Sequence, residues 1–441
     1  DSTNLRPNSQ RQTWYTLTTS EVDELRNDDR VLAVEIPPEF RDDIFISNNA
    51  TQTGTFTKTS SDSGNYQNWG LIRTLSKDNN YGTSATISED YTYTLTGKGV
   101  DVITQDSGIQ TDHPEWEGRF ESVDWGAYGA FTQNANHDRD RDGHGTHCAG
   151  IAAGVNYGVA KNSNVYFVKV SGLEGSSDGN TGISTTDCFD VIKGWHNSKV
   201  DNPLTGVPNP TVVNMSWGYL TTYTDASITA INYRGVSSTG TDINTTTKRE
   251  QNFGLNYNLY SASGPTYAAN LRILSVDTDV EEMIEAGIHV TIAAGNRGNK
   301  CDVPGGADYN NYYTSNGTDQ YYHRGSSPNA DGAILVGNLD SALNSATNGD
   351  GSNKDQKAFS SECGPAVDLY AAGTNIMSCT SNTNKFSDSA YYFDNNYRQC
   401  NISGTSMAAP QVAGMAALLL QANPLATPYS IKQSLTNGSG D

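Results

Sequence analysis

The stretch NISGTSMAAPQVAG, residues 401–414, sets a serine between Gly-Thr and Met-Ala-Ala-Pro at the head of a run of small and apolar residues. The bland reading is a loop feeding a buried helix. The chemical reading is a nucleophile, Ser406, on a helix start. A serine hydroxyl is a weak nucleophile near neutral pH, so it needs a base and a third group to orient that base. Acyl transfer also needs donors for the developing oxyanion. Three other stretches offer these parts. VDVITQDSGIQTDHPEW puts Asp106 directly after a strand-like run, and DGHGTHCAGIAAG puts His144 in a Gly-flanked turn before a helical pattern. HVTIAAGNRGN puts Asn296 at another strand end, where its amide can donate to an oxyanion. Each has an ordinary alternative: Asp106 as a cap or turn former, His144 as a structural histidine, Asn296 as a turn residue. Weight comes from the chain order Asp, His, Asn, Ser through strand-end positions of one α/β pattern, because ligand-facing residues of such sheets sit at the carboxyl ends. His147 reads as a structural neighbour of the site, and Cys148 as a buried, inert thiol.

The elements that must position these residues alternate. KGVDVIT (98–104), NVYFVKV (164–170), PTVVNMS (210–216), IHVTIAAG (288–295) and GAILVGNLD (332–340) read as strands. GTHCAGIAAG (145–154), STTDCFDVIKGWHNS (184–198) and DTDVEEMIEAG (277–287) read as helices, and a long helix follows Gly404. Strand and helix in alternation predict an α/β fold with a mainly parallel sheet covered on both faces. Ahead of it, TWYTLTT (13–19) reads as a strand, SEVDELRNDD (20–29) as a helix capped by its serine, and RVLAVEIPPE (30–39) as a strand. The expected domains are therefore a small α+β segment over 1–41, a linker over 42–66, and a catalytic domain over 67–441. Polar insertions interrupt that domain near 219–270, 298–328 and 380–399.

These stretches resemble the signature segments of the subtilases, the subtilisin-like serine proteases. The matching residues are Asp106-Ser-Gly, His144-Gly-Thr-His, Asn296 in AAGN and Ser406 in GTSMAAP, in the Asp, His, Ser order of subtilisin. NMSWG (214–218) resembles the family's substrate-lining strand. NWGLIR (68–73), and Cys148 after HGTH, resemble the proteinase K branch. The resemblance covers roughly residues 67–437. It implies a three-layer subtilisin-like fold and a serine endopeptidase acting through an acyl-enzyme. Ser406 would be nucleophile, His144 general base, Asp106 its orienter, and Asn296 with the Ser406 N–H the oxyanion donors. Ser216, Trp217, Gly218, Ala294 and Gly295 would line the substrate cleft. The resemblance further implies a protein or peptide substrate, no cofactor for catalysis, an extracellular location, and a partial propeptide over residues 13–36 acting within the chain. It allows a structural calcium ion. Two residues depart from the pattern: Gln105, where an apolar residue is usual, and Trp217, where a smaller one is common. The alternative reading is a structural, virion-associated protein in a larger assembly, with latent or limited proteolysis. Both ends of the chain read as cut from something longer.

Composition narrows the remaining classes. The 441 residues carry a formal net charge of −21 and only 35% hydrophobic side chains. No basic footprint for nucleic acid is visible. No stretch approaches the roughly 20 apolar residues of a membrane span. The six cysteines are widely spaced. Cys379 and Cys400 bracket a polar loop and form the candidate disulfide, with free buried thiols as the alternative. DRDRDG (138–143) has the opening of a calcium loop, but its twelfth position is Ala149, so it is not an EF-hand.

Overall fold

The computed structural model describes residues 15–28, 30, 31, 34, 50–129, 132–174, 179, 181–224, 227–258, 266–341 and 355–439. Its centre is a six-stranded sheet. The spatial order is Leu369–Ala372, Ile334–Leu339, His289–Ala293, Thr211–Met215, Asp101–Asp106 and Asn164–Lys169, with every neighbouring pair parallel. The chain begins this sheet at Asp101–Asp106, adds Asn164–Lys169 on one side, then returns to build outward on the other. The order therefore reverses at the Asp106 strand, and the crevice at that switch point is where an α/β sheet places ligands.

The strands are apolar on both sides, as a doubly covered parallel sheet requires. Ile103, Val168, Val213 and Ile292 pack against Phe189, Ile192, Val280 and Met283 of the helices Thr185–Asn197 and Leu274–Glu285. Their alternating neighbours Val102, Phe167 and Val212 pack against Ala149, Ala152, Ala413 and Ala416. Those alanines belong to His144–Ala153 and Thr405–Ala422, the helices that begin with the candidate base and nucleophile. Small side chains let these two helices lie close on one sheet face. The short helix Trp69–Arg73 seals their far side, with Trp69, Leu71 and Ile72 packed against Cys148, Ile151 and Met407. The last helix, Pro428–Gly438, is pinned by Lys432, whose Nζ donates to the carbonyls of Asp331 and Ala333 and pairs with Asp368 at 2.9 Å.

Four expectations need correction. First, the 42–66 segment is not all linker. Ala50–Thr57 is a strand paired along its whole length with Thr86–Tyr93, and Tyr66–Asn68 lies parallel to it. Its threonines, read as loop residues, are β-branched and suit a pleated surface. Second, the 219–270 and 298–328 insertions are not separate loops. Strands Ile228–Tyr233 and Val236–Thr239 of the first form one antiparallel sheet with Tyr312–Ser315 and Thr318–Tyr321 of the second. That unit has its own core, including Ile231, Phe253, Tyr313 and Tyr322. The 380–399 insertion likewise forms strands, Ser389–Tyr391 and the start of Asp394–Ile402. Third, Cys379 and Cys400 are free. They lie on paired strands, but Cys400 stands opposite Ser378 and Cys379 opposite Gln399. A one-residue offset in a pleat points the two side chains to opposite faces. Fourth, the N-terminal helix runs Thr19–Arg26 and is capped by Thr18, not Ser20, through a capping box with Glu21. Residues 15–18 of the expected first strand are not in a strand, and most of the expected 30–39 strand lies outside the described residues. Among the described residues no helix is long and apolar enough to cross a membrane.

Candidate active site

The sheet's carboxyl edge gathers the four candidate residues. Asp106 is the last residue of its strand, Asn296 follows His289–Ala293, and Ser216 follows Thr211–Met215. His144 and Ser406 stand in the first turns of their helices. His144 Nδ1 lies 2.8 Å from Asp106 Oδ1, which also accepts from the Ser107 N–H at 2.7 Å. Asp106 is 1% exposed and His144 22%, so the carboxylate is shielded while the ring reaches the cleft. Burial works against charging the ring, but the Asp106 carboxylate, together with the neighbouring Cys148 sulfur, outweighs it and raises the His144 pKa well above 6.5.

The motif glycines explain how the two loops meet. A Cβ on Gly145 would lie 2.2 Å from the carbonyl oxygen of Gly108, so only glycine lets the His144 turn approach the Asp106 turn this closely. Ser107 Oγ then accepts from the Gly145 N–H and donates to Asp140. Asp140 is the hub of this wall. Its carboxylate also accepts from the N–H groups of Asp142, Gly143 and Thr146 and from the Thr146 hydroxyl. Burial pushes its pKa up to about 6 against those bonds. In the DRDRDG loop Asp140 spends both oxygens on protein donors and Asp142 Oδ2 is paired with Lys385 at 2.6 Å, whereas Asp138 Oδ1 and Asp142 Oδ1 are buried without a hydrogen-bond partner. Sequence reading registered the aspartate spacing but missed this role, because the partners Ser107 and Thr146 lie outside the loop.

On the opposite wall the nucleophile's helix shows why proline stands four residues after Ser406. Pro410 has no N–H to give the Ser406 carbonyl. That oxygen instead accepts from Ser216 Oγ at 2.9 Å and Cys148 Sγ at 3.3 Å. The helix start is thereby tied to the Ser216–Gly218 segment. Ser406 Oγ donates to the Ser216 carbonyl at 3.1 Å rather than to His144. Asn296 is oriented by Thr405, whose N–H and hydroxyl both donate to Asn296 Oδ1, at 2.9 and 3.1 Å. With the oxygen so engaged, the amide nitrogen is the end left to donate. Gly295, at φ +116, accommodates the turn, and its N–H donates to Thr405 Oγ1.

The remaining sequence candidates also have places. His147 is buried, its Nε2 lies 3.1 Å from the Cys400 carbonyl, and burial drives its pKa down to about 3. Cys148 is buried 3.8 Å from His144 Nδ1, with its thiol pKa raised by burial. Asp106, His144 and Cys148 form the one cluster of three ligand-bearing side chains among the described residues. Gln105 is fully buried, and neither amide atom has a partner within hydrogen-bond geometry. Trp217 stacks edge-on against Tyr219, and Gly218 lies against Ser326. Thr405, Pro410 and Ser107 were quoted in the motifs, yet spacing alone did not show what they hold.

Comparison with known proteins places these features in a lineage. The subtilase family model matches residues 97–440. The chain is 29% identical over 358 residues to the subtilisin-like serine protease Cla h 9.0101 of Davidiella tassiana, covering 81% of this chain and 49% of that protein. It is 29% identical over 370 residues to subtilisin-like protease 2 of Pseudogymnoascus destructans, covering 84% of this chain and 62% of that protein. The chain thus spans about half to three-fifths of the length of these curated relatives. A solved cold-adapted subtilisin-like serine proteinase aligns over 84% of this chain and 90% of its own, at 24% identity and a TM-score of 0.49.

Proposed function

The chain belongs to the subtilase family, and from that premise we propose that it is a serine endopeptidase cleaving protein or peptide substrates through an acyl-enzyme. The observation that carries this reading is the pairing of His144 with buried Asp106 at a sheet switch point where the Ser406 helix and the Asn296 turn converge. On substrate binding, Ser406 Oγ leaves the Ser216 carbonyl and gives its proton to His144 Nε2 as it attacks the scissile carbonyl. Asp106 holds the ring by Nδ1 and stabilises the imidazolium. The Asn296 amide and the Ser406 N–H receive the oxyanion, and the helix N-terminus adds a favourable field for that charge. His144 then protonates the leaving amine, and water repeats the sequence in reverse to release the acid. No step calls for a cofactor. Ser216, Trp217, Gly218, Ala294 and Gly295 form the cleft lining in this reading, and residues 67–441 form the catalytic domain. The N-terminal segment acts as a propeptide in this reading, and the enzyme acts outside the cell. The comparisons give the virion-associated alternative no support.

The test is covalent labelling with a fluorophosphonate, read by intact mass and peptide mapping. One adduct on Ser406, absent in Ser406→Ala, supports the proposal. A folded, unlabelled protein, or a label on another residue, overturns it.

A further inference from the structure

Among the described residues, Glu362 is a fully buried acid that the proposed reaction does not use yet that touches the oxyanion turn. It follows the loop after Ala358, is 0% exposed, and reaches under the turn that carries Asn296. Its backbone N–H donates to the Gly295 carbonyl at 3.0 Å. Its side chain fills the space beside Gly295, where an added Cβ would come within 2.7 Å of Glu362 Cγ and 3.1 Å of Oε1. Its Oε1 accepts from Asn270 Nδ2 at 3.2 Å. Adjacent backbone bonds lace the same two segments: Gly298 N–H to Ser360 at 2.8 Å and Cys363 N–H to Asn299 at 3.1 Å. Thr405 holds the Asn296 turn from the nucleophile's side, and Glu362 holds it from beneath.

We infer that Glu362 is a positioning residue for the oxyanion turn, fixing the direction of the Asn296 amide by wedging under Gly295 and anchoring to Asn270. This rests on the serine peptidase reading. Asn270 closes the strand Thr266–Asn270, which pairs with Leu220–Thr224, so the same contact ties the 219–270 insertion to the site. A neutral carboxyl suits the geometry. Glu362 Oε2 is buried without a hydrogen-bond partner, and a carboxyl withdrawn from water in this way is cheaper to keep protonated than charged. Burial pushes the Glu362 pKa up to about 8, against the pull of Asn270, the Arg297 and Asn299 N–H groups and the Lys357 charge. Glutamine keeps the shape and offers an N–H in place of the acid's O–H, whereas alanine removes the wedge.

The experiment is steady-state hydrolysis of a chromogenic peptide by wild type, Glu362→Ala, Glu362→Gln and Asn270→Ala, with fluorophosphonate labelling of each. Loss of one oxyanion donor costs about 10²–10³ in kcat, which bounds the effect of misdirecting it. We expect Glu362→Ala to lose roughly 10- to 100-fold in kcat with KM within about threefold, while still labelling on Ser406. Glu362→Gln should stay within about threefold of wild type, and Asn270→Ala should fall between the two. The inference is overturned if Glu362→Ala keeps its kcat, if the loss lies in KM, or if glutamine fails as badly as alanine. If Glu362→Ala does not fold, Asn270→Ala and Glu362→Gln decide: unchanged kcat in Asn270→Ala overturns it. A wild type that neither labels nor hydrolyses sinks the peptidase reading itself, whereas a labelled, active wild type with active variants sinks only this inference.

Discussion

Asp140, behind the wall that carries Asp106 and His144, and Glu362, behind the turn that carries Asn296, are both withdrawn from water but unequally supplied with donors. Asp140 accepts from Ser107, Asp142, Gly143 and twice from Thr146. Glu362 has Asn270 and keeps one oxygen without a partner. A saturated carboxylate organises the loop around itself and leaves nothing to adjust. A half-supplied one works by filling space beneath a glycine, and its contribution shows in where a neighbouring amide points. The two walls of the cleft are thus built on different principles: one is a hydrogen-bonded frame, the other a packed turn.

The comparison breaks most visibly at Asp140. Asp140→Ala strands three buried N–H groups and two hydroxyls, each costing about 1–3 kcal/mol when unsatisfied. The expected loss is on the order of 5 kcal/mol in urea unfolding, with activity falling in parallel. Glu362→Ala, which removes one direct side-chain partner, the Asn270 amide, should cost less, about 1–3 kcal/mol. Equal destabilisation by the two substitutions would erase the distinction. A smaller effect sharpens it on the His144 side. The ring must be neutral to accept the Ser406 proton, and Asp106 holds its pKa well above 6.5. The acid limb of kcat/KM should therefore lie above pH 6.5 and rise as the ring deprotonates. Asp106→Asn removes the charge that stabilises the protonated ring, so any residual activity should have its acid limb moved to lower pH. A limb at or below pH 6.5 in the native enzyme would mean that the pair is not coupled as described.

Much of this frame was legible in the chain. The strands ending at Asp106 and Ala293 were legible because β-branched residues, Val102 and Ile103 in one and Val290 and Ile292 in the other, lead directly into a turn signal. The stretches after His144 and Ser406 were legible as helices because they are long and rich in alanine. What the sequence hid was polar structure. The Thr- and Tyr-rich insertions looked like loops, because their partners lie in two segments separated by the helix Leu274–Glu285 and the strand that follows it. Asp140 was seen only as part of an acidic turn with the opening of a calcium loop, because its partners, Ser107 and Thr146, carry no spacing signal. Pro410 was visible, but its purpose, freeing the Ser406 carbonyl for Ser216 and Cys148, needs three chain segments at once. Glu362 sits in an unremarked stretch, SSECGP, and only the fold brings it beneath Gly295.

The most direct measurement of the central claim is hydrolysis of a peptide library by wild type and Ser406→Ala, followed by mass spectrometry. The account predicts internal cleavage by the wild type and a loss on the order of 10⁶ in kcat for the variant, the scale found when a subtilisin-type nucleophile is removed. Cleavage that survives in Ser406→Ala, or a folded wild type that cleaves nothing, would contradict it.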